Sequence, residues 1–331
     1  MIESLEKLDE CLGKTPAAMA LKVLDHLDDG ALRWLAASPL VFVSVARASD
    51  VSVTIAGGER GFAHAVSPDV LRFARAAIDD PAALEEGCGV GMLFLVPGLG
   101  ETLRVNGRVS AHSADAIDIA IREVYVHCAK ALIRSEFWTA APRNDQSIDP
   151  ARFVAETRFI ALATADANGN ADLSPKGDAA GTMLKACGDG LAYGERPGNL
   201  RKDSLKNVLV QPRAAALALI PGSGLVGLAR GEGKILEDLT TRERFTVSGK
   251  TPKLVMQLSA AQLVVRESPA LSRVALWPLR AAAHGLDPAA ILTTHMKLNK
   301  TAGLDVGIVR KLMSKELMSW GLKLDYKNKL Y

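Results

Sequence analysis

Residues 91–100 read Gly91-Met-Leu-Phe-Leu-Val-Pro97-Gly98-Leu-Gly100, and residues 215–224 read Ala215-Ala-Leu-Ala-Leu-Ile-Pro221-Gly222-Ser-Gly224. Each is a short apolar run closed by Pro-Gly, the pattern of a buried strand that ends in a turn. Pro97 and Pro221 stand 124 residues apart, and Gly98/Gly222, Gly100/Gly224 and Gly107/Gly231 keep that spacing without a gap. Upstream, Leu40-Val-Phe-Val-Ser-Val-Ala46 parallels Arg158-Phe-Ile-Ala-Leu-Ala-Thr164 at a spacing of 118, which implies an insertion of about six residues in the second copy. A chain that repeats itself in this way carries two similar units.

Working outward, residues 159–165 are rich in strand formers, Asp166-Ala-Asn168-Gly169 supplies turn chemistry, and residues 171–174 can return as a partner strand. Thr15-Pro16 reads as a helix start, with Leu21, Leu24, Ala31, Leu32 and Leu35 on one apolar face through residue 36. Asp203 can cap a helix through Leu205, Val208 and Leu209 that Pro212 stops. Residues 140–150, with Pro142, Asn144, Asp145 and Pro150, read as a linker. The expected fold is therefore mainly β with flanking helices (α+β). Residues 1–142 form a first unit with N-terminal helices, 151–280 a second, and 281–331 a basic helical extension.

Composition narrows the function. The chain has 331 residues, is 48% hydrophobic and 23% charged, and carries a net charge of +3, too small to imply nucleic-acid binding. Residues 297–331 concentrate that charge, with eight Lys/Arg against three acids. Val309, Leu312, Met313, Leu317 and Trp320 recur there at helical spacing, a stripe that packs on protein or lies on an anionic membrane; packing is the expectation. Cys11, Cys88, Cys128 and Cys187 lie far apart, and six histidines show no metalloprotease spacing, so neither a metal site nor a disulfide framework is expected. With Glu3, Glu6 and Asp9 where a secretory signal would be basic and then apolar, the expected location is the cytoplasm. Gly222-Ser-Gly224-Leu-Val-Gly227 fits a dinucleotide fingerprint, but Pro221 and Gly231-Glu-Gly233 oppose the helix it needs.

The densest polar cluster is Glu195-Arg196-Pro197-Gly198-Asn199-Leu200-Arg201-Lys202-Asp203-Ser204. Its arginine forks, its turn and the helix that follows suit an anion, with Lys176 able to add charge; a solvated charged loop is the alternative. This block and Ser174-Pro175-Lys176-Gly177-Asp178 resemble the pyridoxamine 5′-phosphate oxidase-related family of flavin proteins. So do Glu101-Thr-Leu-Arg104-Val-Asn106-Gly107-Arg108 and His127-Cys128-x-Lys130-Ala131-Leu-Ile-Arg134-Ser135-x-x-Trp138. The resemblance covers about residues 15–235 and implies an FMN-binding split β-barrel, normally a homodimer with flavin at the subunit interface.

This chain departs from the family by dividing those blocks between its copies. The first copy has Asp79, Asp80, Glu85 and Glu86 where the phosphate block belongs; the second has Leu225-Val-Gly-Leu-Ala-Arg230 for the Leu-Arg-Val-Asn block and no recognisable His-Cys-x-Lys block around 264–277. The implied arrangement is two tandem split barrels forming an intrachain pseudo-dimer with one composite FMN site. The second copy would contribute Lys176, Arg196, Asn199, Arg201 and Ser204. The first would contribute Arg104, His127, Lys130, Arg134, Ser135 and Trp138. His127 is a candidate proton donor or a closed hydrogen bond, and Trp138 covers the ring or plugs the core. The expected function is an FMN-dependent oxidoreductase acting on a small molecule, with NAD(P)H as a candidate electron donor. The alternative is a non-catalytic flavin-, haem- or deazaflavin-binding module. A homodimer of the whole chain stays open.

Overall fold

A computed structural model describes the chain apart from residues 17–18, 49, 199–200, 280–284, 300–313 and 329. Its frame is two antiparallel sheets with helices around them, an α+β fold. The first sheet contains β1 (Leu40–Arg47), β2 (Asp50–Gly57), β3 (Ala63–Ser67), β4 (Val70–Ala74), β5 (Gly89–Leu95), β6 (Thr102–His112) and β7 (Ala116–His127). Its strand order is β2-β1-β5-β6-β7-β4-β3.

The second sheet contains β8 (Phe159–Ala165), β9 (Ala171–Gly177), β10 (Lys185–Cys187), β11 (Gly190–Gly194), β12 (Arg213–Leu219), β13 (Leu225–Leu236) and β14 (Val255–Ser259) in the order β9-β8-β12-β13-β14-β11-β10. A further strand, β15 (Val264–Glu267), pairs with β13. Strand for strand this is the order of the first sheet.

The hydrogen-bond registers carry the sequence spacings. Leu93 pairs with Arg104 and Leu217 with Leu228, so the spacing of 124 holds across both strands of each pair. The spacing at the first strand is corrected by one residue: Leu40 faces Leu95 and Phe159 faces Leu219, so β1 and β8 lie 119 apart, not 118. Alternation could not fix this parity, because every residue of β8 and all but the last of β1 are buried, on both faces.

That double burial has a cause. One apolar cluster lies within the first sheet's fold and another within the second's, while a third joins them through Phe42, Leu93 and Leu95 of the first and Phe159, Leu173 and Leu217 of the second. Phe42 and Phe159 meet there with ring centroids 5.4 Å apart.

Helices cross between the halves. α1 (Leu5–Leu12) is capped by Ser4 and buries Leu8 in the second half's cluster, and Ile2 bridges Ile235. The helix expected to begin at Thr15-Pro16 begins instead at Asp28, whose carboxylate caps α2 (Asp29–Ala37); Leu24 is held in a bridge to Val124. α3 (Lys130–Arg134) follows β7, α4 (Pro150–Glu156) opens the second half, and α5 (Asp203–Val210) precedes β12. α6 (Leu239–Glu243) precedes β14, and α7 (Pro269–Val274) follows β15.

The C-terminal α8 (Pro288–Leu298) and α9 (Lys315–Asn328) pack on the first half through Ile291, Leu292, Met318 and Leu322. The described part of the expected stripe faces outward, with Leu317 50% and Trp320 63% exposed, while Val309, Leu312 and Met313 lie outside the described residues. Among the described residues no helix is long and apolar enough to cross a membrane.

Candidate functional site

A cavity of about 500 Å³ opens where the two halves meet. The first half delivers its share through one strand pair and one short helix. Arg104 on β6 faces Tyr125 on β7, Thr102 faces His127, and α3 brings Lys130 and Arg134. The second half contributes through β9, where Asp172, Ser174 and Lys176 share a face by the two-residue period of a strand. Asp172 receives Arg104 Nη1 across the interface, and Ser174 Oγ donates to Asp172 at 3.0 Å. Gly177 is required by the close approach of α3, since a Cβ there would sit 1.9 Å from the Ala131 carbonyl oxygen.

Beyond β9 the anion cradle takes shape. α5 starts at Asp203 with no side-chain cap, because Lys202 occupies the cap position in the left-handed region (φ 59°) and Asp203, expected as the cap, turns to Arg201 Nε at 2.6 Å. The first N–H groups of such a helix have no intrahelical acceptor. Lys202, Asp203, Ser204 and Leu205 all line the cavity. Lys176 Nζ lies 2.8 Å from Glu195 and 3.4 Å from Ser204 Oγ.

Arg196 also lines the cavity but is tied into its own loop: Nε donates to Asp178 at 2.6 Å, Nη2 to the Phe245 carbonyl at 2.6 Å and Nη1 to the Lys250 carbonyl at 3.5 Å. Arg134 pins the halves together, with Nε donating to the Gly177 carbonyl at 2.9 Å and Nη1 to the Pro197 carbonyl at 3.1 Å.

Seven residues singled out in the sequence thus share one wall system: Lys176, Arg196, Ser204, Arg104, His127, Lys130 and Arg134. Three others go elsewhere. Ser135 is fully buried and donates to the Leu132 carbonyl at 3.1 Å. Trp138 belongs to the cluster between the sheets, edge-on to Phe137, with Nε1 on the Leu99 carbonyl at 2.6 Å. Arg201 stacks on the Tyr125 ring, 4.6 Å from its centroid, outside the cavity. Asn199 lies outside the described residues.

Sequence reading missed Tyr125, Lys202, Lys250, Lys253 and Tyr331, all of which line the cavity. Lys250, Lys253 and Tyr331 belong to segments beyond the recognisable blocks, and topology alone brings them in.

Eight Lys or Arg line the cavity with Glu195 and Asp203, and four of them, Arg104, Lys130, Arg196 and Lys202, are paired with Asp172, Asp325, Asp178 and Asp9 around it. Burial, reinforced by Arg104 and Lys22, pushes His127 well below the usual histidine range, which favours the neutral ring. Burial also keeps the Tyr125 phenol protonated against the pull of Arg104 and Arg201. Desolvation opposes charge on Arg104, yet Asp172 and Tyr125 beside it keep it cationic, and its buried Nε has no partner among the described residues. A buried, unpartnered donor beside an uncapped helix suits an anionic ligand with a polar edge. Among the described residues no group of three or more His, Cys, Asp or Glu is placed to hold a metal ion.

The pseudo-equivalent junction between the halves is built on the same frame. Counting from β7, the spacing is 139: Val126 faces Leu103 as Val265 faces Gly227, and Ala120 faces Arg108 as Ser259 faces Glu232. The long β7 is matched by β14 and β15 together, and α3 by α7. At this spacing Arg273 matches Arg134 and Trp277 matches Trp138, a correspondence not legible in the sequence around 264–277.

Arg273 Nε donates to the Gly57 carbonyl at 3.2 Å and Nη2 to the Ala77 carbonyl at 2.8 Å, repeating the bonds of Arg134. Here, however, Leu228 and Val264 stand where Arg104 and Tyr125 do. Asp79 accepts from Ser268 Oγ at 2.5 Å and from the Ala270 N–H at 2.7 Å at the start of α7.

No protein-family model and no curated protein matches the chain. Solved structures match parts of it. HupZ from Group A Streptococcus is 16% identical over 37% of this chain and 96% of its own, with a TM-score of 0.30. General Stress Protein 26 from Bacillus anthracis is 12% identical over 36% of this chain and 95% of its own, with a TM-score of 0.27. An F420 reductase is 14% identical over 37% of this chain and 100% of its own, with a TM-score of 0.27.

Proposed function

We propose that this chain is an FMN-dependent oxidoreductase of the split-barrel type that holds one flavin between its halves and acts on a small molecule. The observation that carries the reading is the 500 Å³ cavity that joins cations of the first half to an uncapped helix start in the second. The α5 N–H groups, Ser204 and Lys176 would hold the phosphate, with Lys130 closing from the other half and Arg134 fixing the joint beside it. The unpartnered Arg104 Nε offers a buried donor to the polar edge of a flat ring system. When bound, the flavin supplies hydride and electron transfer. The protein's share is to bind, orient and surround it with positive charge, which favours an anionic reduced ring. His127, whose burial favours the neutral ring, can hydrogen-bond a ligand. The phosphate cradle favours FMN over haem, which carries no phosphate.

The test is the visible spectrum and flavin content of the purified or reconstituted chain. A yellow protein with one FMN per chain agrees with the reading, whereas a colourless protein or two flavins per chain contradicts it. Reduction of the bound flavin by NAD(P)H, followed by productive reoxidation, separates an enzyme from a binding module.

A further inference from the structure

The cavity has a contributor besides the two sheets. Where α9 ends, the chain reaches the same residues that line the site. The Asp325 carboxylate lies 2.8 Å from Lys130 Nζ, and the Leu330 carbonyl accepts from Arg134 at 2.6 Å. The Tyr326 hydroxyl donates to Glu101 at 3.0 Å and accepts from the Ala129 N–H at 3.2 Å, which fixes the segment just ahead of α3.

Tyr331 goes furthest in. Its hydroxyl donates to Asp178 at 3.1 Å, its ring lies 5.4 Å from the Arg196 guanidinium, and it forms part of the cavity wall. About 500 Å³ remains open with this segment docked, so the segment bounds the space and does not fill it.

We infer that Tyr331 is a ligand-positioning residue: its phenol ring is an aromatic wall of the composite cavity, and the α9 segment holds that wall over a flat, anionic ligand. The inference rests on the flavin reading of the cavity and adds to it a residue outside the blocks that suggested flavin. An aromatic ring offers a stacking face, and a guanidinium behind it with a hydroxyl anchored on Asp178 restricts how it can turn. Tyr331 is part of none of the three large apolar clusters, so replacing it tests the wall without emptying a core.

The experiment is FMN titration of the full chain, followed by flavin fluorescence and near-ultraviolet circular dichroism, for the wild type, Tyr331→Ala and Tyr331→Phe. Tyr331→Ala is expected to weaken FMN about tenfold, chiefly through faster dissociation, and to change the dichroism of the bound ring. Tyr331→Phe restores the ring and should recover affinity to within about threefold, with the melting temperature unchanged in both. FMN should also slow tryptic cleavage after Lys323 and Lys327 in the wild type and lose that effect in Tyr331→Ala. Equal or tighter binding by Tyr331→Ala, or faster cleavage on adding FMN, overturns the role of Tyr331 while leaving the flavin reading intact. If FMN binds neither the wild type nor either variant, the flavin reading falls and this inference with it.

Discussion

The two interface clefts share a frame and differ in what they point into it. In each, an arginine from the short helix after the last long strand reaches across to a glycine carbonyl of the opposite half: Arg134 to Gly177, and Arg273 to Gly57. One cleft then gathers Arg104, Tyr125, Lys130 and Lys176 around open space; in the other, Leu228 and Val264 stand at the stations of Arg104 and Tyr125, and a protein carboxylate, Asp79, binds the start of α7. The arginine is therefore part of the joint between halves, and on the flavin reading it is the other cations, Lys130 and Lys176, that would meet the ligand. Position in the frame does not tell these roles apart; what each side chain bonds to does.

That contrast can be broken most severely by charge removal. Lys176→Met combined with Lys130→Met takes away two charge-assisted contacts of roughly 1.5–3 kcal/mol each, so FMN affinity should fall at least 100-fold. Arg273→Met, in the other cleft, should leave affinity within about twofold while lowering the melting temperature. Equal losses of affinity from both would erase the distinction between the clefts; isothermal titration measures them.

A smaller effect should come from Lys22, a buried cation behind the open cleft whose Nζ is 3.4 Å from the Val126 carbonyl and 5.2 Å from the Tyr125 centroid. Burial lowers its pKa to about 8 from 10.5. Below pH 8 the folded and unfolded chains both carry the proton, and burial costs roughly 3 kcal/mol. Between pH 8 and 10.5 the folded chain has released the proton that the unfolded chain keeps, so stability rises with pH. Lys22→Met should stabilise the protein by about 1–3 kcal/mol at pH 7 and flatten that rise, read from urea midpoints across the range.

The mildest change is Asp79→Ala, which removes the two bonds at the start of α7. About 1 kcal/mol of stability should be lost with FMN binding untouched. A gain of a second flavin per chain in this variant would show that Asp79 alone blocks the other cleft.

Much of the frame was legible because Pro-Gly closures mark strand ends, and their spacing of 124 matches the hydrogen-bond register. The first strand slipped by one residue because burial on both faces leaves no alternation to read. The helix expected from Thr15 failed because an apolar periodicity ran on through Leu24, whose backbone pairs with Val124, and the cap chemistry lay at Asp28. At the site, strand and helix blocks placed Arg104, His127, Lys130 and Lys176 together. Ser135 and Trp138 share their block with Arg134, yet in a tight helical turn neighbouring residues face apart, and these two turn into the core. The match of Arg273 and Trp277 to Arg134 and Trp138 was hidden because β14 and β15 interrupt what β7 spans without a break.

The apolar layer that joins Phe42 to Phe159 also sets how the molecule comes apart. Separating the halves would wet a whole sheet face on each, and α1 and α8–α9 are already exchanged between them like clasped hands. Neither half owns a complete surface, so denaturation is expected as a single concerted event, with the ligand cleft lost at the same moment as the rest.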